Sequence, residues 1–116
     1  MAKGDTMRPG EVLNSGGSIT SASGRYRFIY QADGNLVLYD GSKALWSSKT
    51  HGQPTGVCIM QGDGNLVIYK PGGSALWSSK THGNAGARLV MQNDGNAVIY
   101  RTNNSAAWAT NTVVVS

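Results

Sequence analysis

The sequence predicts an all-β protein made of three similar units arranged around a pseudo-threefold axis. A nine-residue pattern, Gln-x-Asp-Gly-Asn-x-Val-x-Tyr, occurs three times, beginning at Gln31, Gln61 and Gln92. A tryptophan follows each of these glutamines by fifteen or sixteen positions. The chain contains sixteen glycines, only 14% of its residues are charged, and it has no amphipathic stretch of helical period. These features favour short strands joined by turns over helices.

The repeating unit is about thirty residues long, because Trp46, Trp77 and Trp108 recur in step with the glutamines. Periods of this length indicate units that bury their apolar faces only against one another. Three units in 116 residues are too few for an open solenoid, which also needs capping ends. We therefore predict one closed domain over residues 1–116, with units at about 24–52, 55–83 and 86–112.

Each unit is predicted to form three strands. In the first unit, residues 25–31 form a β-type run, Asp33-Gly34 is a hairpin turn, and residues 35–39 return. A second turn at 40–43 leads to a short strand that carries Trp46. The hairpin turns at Asp63-Gly64 and Asp94-Gly95 repeat the arrangement in the other units.

A fourth strand for each sheet is expected from neighbouring or terminal segments. Residues 11–20 and the terminal segment 112–116 are the predicted donors, whereas 50–55 and 81–86 are loops that lead to the next unit. The sequence does not decide which side chains of the incoming strand point inward. Ile29 shares the phase of Gln31, while Phe28 and Tyr30 have the opposite phase.

The return strand has two chemically different faces, because side chains alternate across a strand. Leu36 and Leu38 lie on one face, which we expect to pack inward with the tryptophans meeting near the common axis. Asn35, Val37 and Tyr39 lie on the other face and are expected to point outward, with the glutamine and aspartate brought alongside by the hairpin.

The outward residues form a set suited to polyol recognition. Amide groups donate and accept hydrogen bonds, a carboxylate accepts them, and a tyrosine hydroxyl does either. The valine adds a small apolar surface for C–H groups. The competing interpretation is purely structural, because Asp-Gly forms turns, and Val and Tyr are common in strands. Turn chemistry alone does not require the glutamine, asparagine and tyrosine three times over, so we favour a sugar site.

The triplicated motif resembles that of the bulb-type (snowdrop-type) mannose-binding lectins, and the resemblance covers roughly residues 11–112. It implies a β-prism II, with three four-stranded antiparallel sheets around a pseudo-threefold axis and the tryptophans at its centre. It also implies a mannose site at each motif, in a protein without enzymatic activity, cofactor or metal. In that family Asp and Asn bind the 2-hydroxyl, Gln the 3-hydroxyl and Tyr the 4-hydroxyl, with Val against ring carbons.

Every motif position of the family is present in each of the three copies. Carried over from the resemblance, the mannose-binding residues are Gln31, Asp33, Asn35, Val37 and Tyr39; Gln61, Asp63, Asn65, Val67 and Tyr69; and Gln92, Asp94, Asn96, Val98 and Tyr100.

This chain differs from the plant members of the family in its cysteines, and it raises the question of strand exchange. Those members usually carry a disulfide with a cysteine inside the first motif, where this chain has Gly34, and its one cysteine, Cys58, excludes an intrachain disulfide. Plant chains also exchange C-terminal strands to form dimers. Residues 112–115 are strand-like, so we expect a homodimer formed through such an exchange, although the same segment is able to close its own prism.

Other signals are weaker. The net charge is +4, but the basic residues are scattered without a run, which indicates solvated surface and not a nucleic-acid site. His51 and His82 recur without an equivalent in the third unit. Cys58 lies on a predicted strand and is expected to be a buried small hydrophobe. Each motif supplies one carboxylate, whereas glycoside hydrolysis needs two that face each other.

The expected partners are mannose and mannosylated glycans or glycoproteins, with no nucleic acid and no membrane insertion. A bacteriocin-type antibacterial protein that recognises surface polysaccharide is the alternative, although relatives of that kind carry tandem prisms. The first nine residues lack the apolar stretch of a secretory signal. The chain is thus expected to be cytoplasmic, to leave its cell by another route, or to have lost a leader.

Overall fold

A computed structural model of the chain describes residues 4–114, which form twelve β-strands and no helix. No helix in this range is therefore long enough to cross a membrane. The strands are β1 Thr6–Met7, β2 Val12–Leu13, β3 Ser18–Thr20, β4 Tyr26–Tyr30, β5 Leu36–Asp40, β6 Lys43–Ser47, β7 Val57–Met60, β8 Leu66–Tyr69, β9 Ala75–Ser78, β10 Arg88–Met91, β11 Ala97–Tyr100 and β12 Ala106–Ala109.

The strands form three four-stranded antiparallel sheets, in the orders β3-β4-β5-β6, β2-β7-β8-β9 and β1-β10-β11-β12. Each repeating unit supplies three consecutive strands of one sheet, as predicted. The N-terminal segment supplies β1, β2 and β3, one to each sheet as its fourth strand. It therefore connects the three units.

The prediction of the fourth strands was correct for residues 11–20, which contain β2 and β3, and it missed β1. It was wrong for the described part of the terminal segment, because residues 112–114 form no strand; residues 115 and 116 lie outside the described range. The edge of β10 is already paired with Thr6–Met7. The Val114 amide instead donates to the Asp94 carbonyl at 2.8 Å.

The three tryptophans contact one another, as predicted, and lie partly buried against the core. The ring centroids of Trp46, Trp77 and Trp108 lie 5.4 to 5.7 Å apart in edge-to-face pairs. Edge-to-face packing is favourable because the positive edge of one ring meets the negative face of the next. Leu36, Leu38 and their counterparts in the other two units are fully buried around this triad. The aliphatic faces of the return strands therefore form the core.

The facing of the incoming strand follows from its register with β5. Phe28 pairs with Leu38, and Tyr30 pairs with Leu36, so both aromatic side chains point into the core and are buried. Arg27 and Ile29 lie on the outer face. Ile29 therefore shares the phase of Gln31, because both lie on the outer face of the sheet and not on the face that packs into the core.

Cys58 is completely buried in the core, which confirms that it acts as a small hydrophobe. Burial away from water disfavours the thiolate and raises the pKa of Cys58 to about 12. The thiol therefore has no nucleophilic role in the folded chain.

Candidate functional site

The motif residues of each unit gather on the outer face of one sheet, around the hairpin that joins its two central strands. In the first unit, the Gln31 amide donates to the Asn35 carbonyl at 2.8 Å and closes the hairpin end. Val37 lies opposite Ile29, and Tyr39 lies opposite Arg27, further along the same face. The predicted residues are thus brought together three times, once on each sheet.

The aspartate of each motif shapes the hairpin turn. One carboxylate oxygen, Asp33 Oδ1, accepts the backbone amide of Asn35 at 3.0 Å, and the same bond recurs in the other two motifs. Gly34 has a φ of 86°, and a Cβ placed there would lie 2.5 Å from the Gln53 carbonyl oxygen. Only glycine fits this position without a shift of the backbone.

The asparagine of each motif is anchored to the loop that follows the tryptophan strand. Asn35 Oδ1 accepts a hydrogen bond from Ser48 Oγ at 3.1 Å and from the Thr50 amide at 3.2 Å. Thr50 Oγ1 in turn donates to the Gly34 carbonyl at 2.6 Å. Because two donors face Oδ1, the side-chain amide is oriented and its nitrogen is directed away from the loop.

These anchoring residues were not identified as part of the site from the sequence. A signal was present in the duplicated Trp-Ser-Ser-Lys-Thr segment and its third version, Trp-Ala-Thr-Asn-Thr. The hydroxyl residues that contact the three hairpins and asparagines are Ser48 and Thr50, Ser79 and Thr81, and Thr110 and Thr112.

The residue between the two anchoring hydroxyls has a left-handed backbone in every unit. The φ angles are 58° at Lys49, 57° at Lys80 and 59° at Asn111. This conformation costs about 1 kcal/mol or more for a residue with a side chain. The paired hydroxyls and the asparagine hold it in place, so the whole hairpin-and-loop arrangement is rigid before any ligand arrives.

The glutamine and tyrosine of each motif are hydrogen-bonded to each other. Gln31 Nε2 donates to Tyr39 Oη at 2.7 Å, and the equivalent pairs, Gln61 with Tyr69 and Gln92 with Tyr100, make the same bond. In the first unit Gln31 and Tyr39 lie on either side of the Val37–Ile29 pair, and their side chains meet above Val37. Val37 is therefore only 3% exposed and forms the floor of the site, not an outward patch.

Four polar groups of each motif are left without a hydrogen-bond partner among residues 4–114. In the first motif these are the second carboxylate oxygen of Asp33, the Nδ2 group of Asn35, Oε1 of Gln31 and the hydroxyl proton of Tyr39. They form two pairs, each with one donor and one acceptor. A hydroxyl group both donates and accepts, so these donors and acceptors match the neighbouring hydroxyls of a polyol.

The other polar candidates of the sequence lie outside these clusters. His51 and His82 are exposed in the loops between units. Within residues 4–114, no group of three or more histidine, cysteine or acidic side chains is placed to hold a metal ion. Each cluster contains one carboxylate, which suits hydrogen bonding to a sugar but does not provide an acid and a base.

Comparison with known proteins was made by sequence and by structure, and no protein-family model matches the chain. A mannose-specific lectin of Narcissus pseudonarcissus is 48% identical over 69 residues, which is 59% of this chain and 56% of that relative. The chain thus spans about half the length of the curated relative that it matches.

Two solved structures match nearly the whole chain. Monomeric monocot mannose-binding lectins from Gastrodia elata are 44% identical, with a TM-score of 0.88 over 95% of this chain and 99% of theirs. The mannose-specific agglutinin of snowdrop, Galanthus nivalis, solved with methyl-α-D-mannoside, is 38% identical, with a TM-score of 0.78 over 96% and 99%. The expected β-prism II fold is confirmed by this likeness.

Proposed function

The chain belongs to the bulb-type mannose-binding lectin family, and we propose that it is a non-catalytic lectin that binds terminal mannose residues of glycans at three sites. The observation that carries the proposal is the set of two unused donor–acceptor pairs over a valine floor, repeated on each sheet. The relatives named above are lectins, so the bacteriocin-type alternative is not carried further.

The roles within each site follow from the groups that the fold leaves unused. In the first site, the second carboxylate oxygen of Asp33 accepts a hydrogen bond from one sugar hydroxyl, and Asn35 Nδ2 donates a hydrogen bond to the oxygen of that hydroxyl. Gln31 Oε1 accepts a hydrogen bond from a second sugar hydroxyl, and the Tyr39 hydroxyl donates one to a third. From the resemblance to the family, we propose that Asp33 and Asn35 bind the 2-hydroxyl, Gln31 the 3-hydroxyl and Tyr39 the 4-hydroxyl. Val67 and Val98 occupy the place of Val37 in the other two sites.

The proposal is tested by titrating the chain with methyl α-mannoside and methyl α-glucoside, which differ only at carbon 2. We expect the mannoside to bind and the glucoside to bind at least about ten-fold more weakly, because one turned hydroxyl loses roughly 1.4 kcal/mol or more of paired hydrogen bonds. A stoichiometry near three mannosides per chain is the second expected result. Equal binding of the two sugars would contradict the assignment of Asp33 and Asn35 to the 2-hydroxyl.

Each site is open and its ligand already hydrogen-bonds well to water, so the affinity of one site is expected to be low. Several sites on one particle raise the apparent affinity for branched glycans through high local concentration. We propose that the chain also forms a homodimer, which would present six sites, by exchange of its C-terminal segment. In the described residues Val113 is exposed, while Val114 remains bonded to Asp94 of its own chain. An exchange of the residues after Thr112 therefore requires this bond to open and Val114 to leave its packing against the core.

The dimer is tested by sedimentation of the full chain and of a chain that ends at residue 112, which keeps the Thr112 anchor of the third site, each at two concentrations. We expect the full chain to dimerise and the shortened chain to remain a monomer that still binds methyl α-mannoside. A dimer that survives the truncation would show that another surface joins the chains. A full chain that is monomeric at both concentrations would contradict the dimer itself.

A further inference from the structure

The three sites differ at the end of the sheet beyond the tyrosine. The residue paired with the site tyrosine across the incoming strand is Arg27 in the first unit, Val57 in the second and Arg88 in the third. All three side chains lie on the outer face, beside the tyrosine ring. Two units therefore carry a long cation at this position, and the second unit carries a short apolar group.

In the third unit the arginine covers the tyrosine. The Arg88 guanidinium lies over the Tyr100 ring, 5.3 Å from its centroid, and its Nη2 donates to Asn104 Oδ1 at 3.0 Å. The cation is held on the negative face of the ring and is tied to the following turn. The outer side of Tyr100 is thus occupied by the chain itself.

In the first unit the same end of the sheet is closed by an ion pair. Arg25 Nε and Asp40 Oδ1 lie 3.0 Å apart, and Arg25 Nη2 donates to Asp40 Oδ2, also at 3.0 Å. This two-point contact joins the start of β4 to the end of β5. The Arg25 guanidinium also lies over the Tyr26 ring, so the charged residue opposite Tyr39 on the outer face is Arg27.

In the second unit this space is open. A cleft of about 510 Å³ lies between the start of β7 and the turn after β8. Val57, Ile59, Tyr69 and Pro71 line it, together with Thr55, Lys70 and the neighbouring glycines. The turn contributes Gly72 and Gly73, where an added Cβ would meet nothing within 4 Å. Its walls are formed mainly by apolar atoms.

We propose that this cleft, which we name the Val57 cleft, is a subsite for an apolar group of about the size of a phenyl ring, attached to the mannose that occupies the second site. Tyr69 is shared by the second sugar site and the Val57 cleft. Its hydroxyl is bonded to Gln61 in the sugar site, and the residue also lines the cleft. The inference rests on the proposed function, because the sugar is what brings the apolar group to the cleft.

An apolar ligand group is favoured over a second polar one by the residues present. The exposed walls of the cleft are mainly apolar, so burial of an apolar group against Val57, Ile59 and Pro71 is favourable, whereas a hydroxyl placed against these three side chains would lose water without a hydrogen-bond partner from them. Arg27 and Arg88 stand at the position of Val57 in the first and third units, so we expect the second site to be the one that prefers substituted mannosides.

The test uses a chain in which Asp33→Asn and Asp94→Asn disable the other two sites. Its affinity is measured for methyl α-mannoside, phenyl α-mannoside and methyl 6-O-benzyl-α-mannoside, so that an aromatic ring is offered from two positions of the sugar. We expect at least one aromatic mannoside to bind about five-fold or more tightly than methyl α-mannoside, as burial of part of a phenyl ring implies. In the unsubstituted chain, the methyl signals of Val57 should shift with that ligand and not with methyl α-mannoside.

Two variants decide whether the cleft is responsible. Val57→Arg introduces the residue type found at this position in the other two units, so it is compatible with the fold. It is expected to abolish the preference and to leave binding of methyl α-mannoside within about two-fold. Val57→Ala keeps the cleft open and is expected to retain at least a two-fold preference.

The possible failures are distinguishable. If methyl α-mannoside does not bind at all, the proposed function is wrong. If it binds and neither aromatic mannoside is preferred, or if the preference persists in folded Val57→Arg, the Val57 cleft is not the subsite. Should Val57→Arg fail to fold, the shifts of Val57 in the unsubstituted chain still decide the question.

Discussion

The triple variant Asp33→Asn, Asp63→Asn, Asp94→Asn is expected to fold and to lose binding to mannosylated glycans. Each substitution replaces the free carboxylate acceptor with an amide donor beside the existing donor of the motif asparagine. Loss of a charge-assisted hydrogen bond costs about 1.5–3 kcal/mol, which is roughly 10- to 150-fold in the affinity of each site. Binding to a mannan-coated surface depends on several such sites, so it should fall below detection.

Asparagine is the appropriate replacement because the aspartate has a second role. Its Oδ1 accepts the amide of the residue two positions later and fixes the hairpin turn. An asparagine oxygen accepts the same bond, whereas alanine would remove it. The triple variant should therefore keep the circular dichroism spectrum and the cooperative thermal unfolding of the unsubstituted chain.

The chain offers a matched control, because it contains six acidic residues and three of them lie outside the motifs. The control variant carries Asp5→Asn, Glu11→Gln and Asp40→Asn, which change the net charge by the same amount. We expect its mannoside affinity to stay within about two-fold of the unsubstituted chain. If the motif variant folds and binds mannan as before, the sugar sites lie elsewhere on the protein.

The core of this fold was predictable from the sequence because its signals are strictly periodic. Alternation of Leu36 and Leu38 with Val37 assigns the two faces of a strand without knowledge of its neighbours. The recurrence of the tryptophans in step with the motif likewise places them at equivalent points of three units. The strands β1 and β2 are two residues long, and pairs such as Thr6–Met7 carry no pattern from which a strand is recognisable.

The details of the site depended on contacts between distant segments. Asn35 is bonded to Thr50, fifteen positions away, only because the return strand and the tryptophan strand are paired in one register. The difference between Arg27, Val57 and Arg88 likewise gains meaning only when each residue is seen beside its tyrosine. Sequence reasoning identified the residue types of the site, and the structure supplied their orientation.

The motif residues therefore do two things at once. Asn35 Oδ1, Asp33 Oδ1 and the amide nitrogen of the glutamine side chain are used to hold the hairpin and its neighbours. The remaining group on each of these side chains has no hydrogen-bond partner among residues 4–114, and we propose that it binds the sugar. The structural interpretation and the sugar-site interpretation of the motif are thus compatible, since the internal bonds fix which donor and which acceptor remain for the sugar.

Replacement of a central tryptophan is expected to have the largest effect on stability. Trp46 lies within 5.7 Å, centroid to centroid, of Phe28 and of both other tryptophans. Trp46→Ala removes all of these contacts and leaves a cavity at the point where the three sheets meet, which costs about 3–5 kcal/mol. A domain of this size has a total stability of about 5–15 kcal/mol, so the variant should lose a large fraction of its free energy of unfolding.

The measurement is equilibrium unfolding in urea, followed by circular dichroism, for Trp46→Ala, Trp46→Phe and Trp77→Ala. Trp46→Phe keeps an aromatic ring at the centre and should lose clearly less than Trp46→Ala. Trp77→Ala should lose slightly less as well, because Trp77 contacts the other two tryptophans but not Phe28. A loss below about 1 kcal/mol in Trp46→Ala would mean that the sheets are held together by their aliphatic faces and the N-terminal strands. A loss near the expected value would establish the tryptophan triad as the element that joins three similar units into one rigid scaffold for the sites.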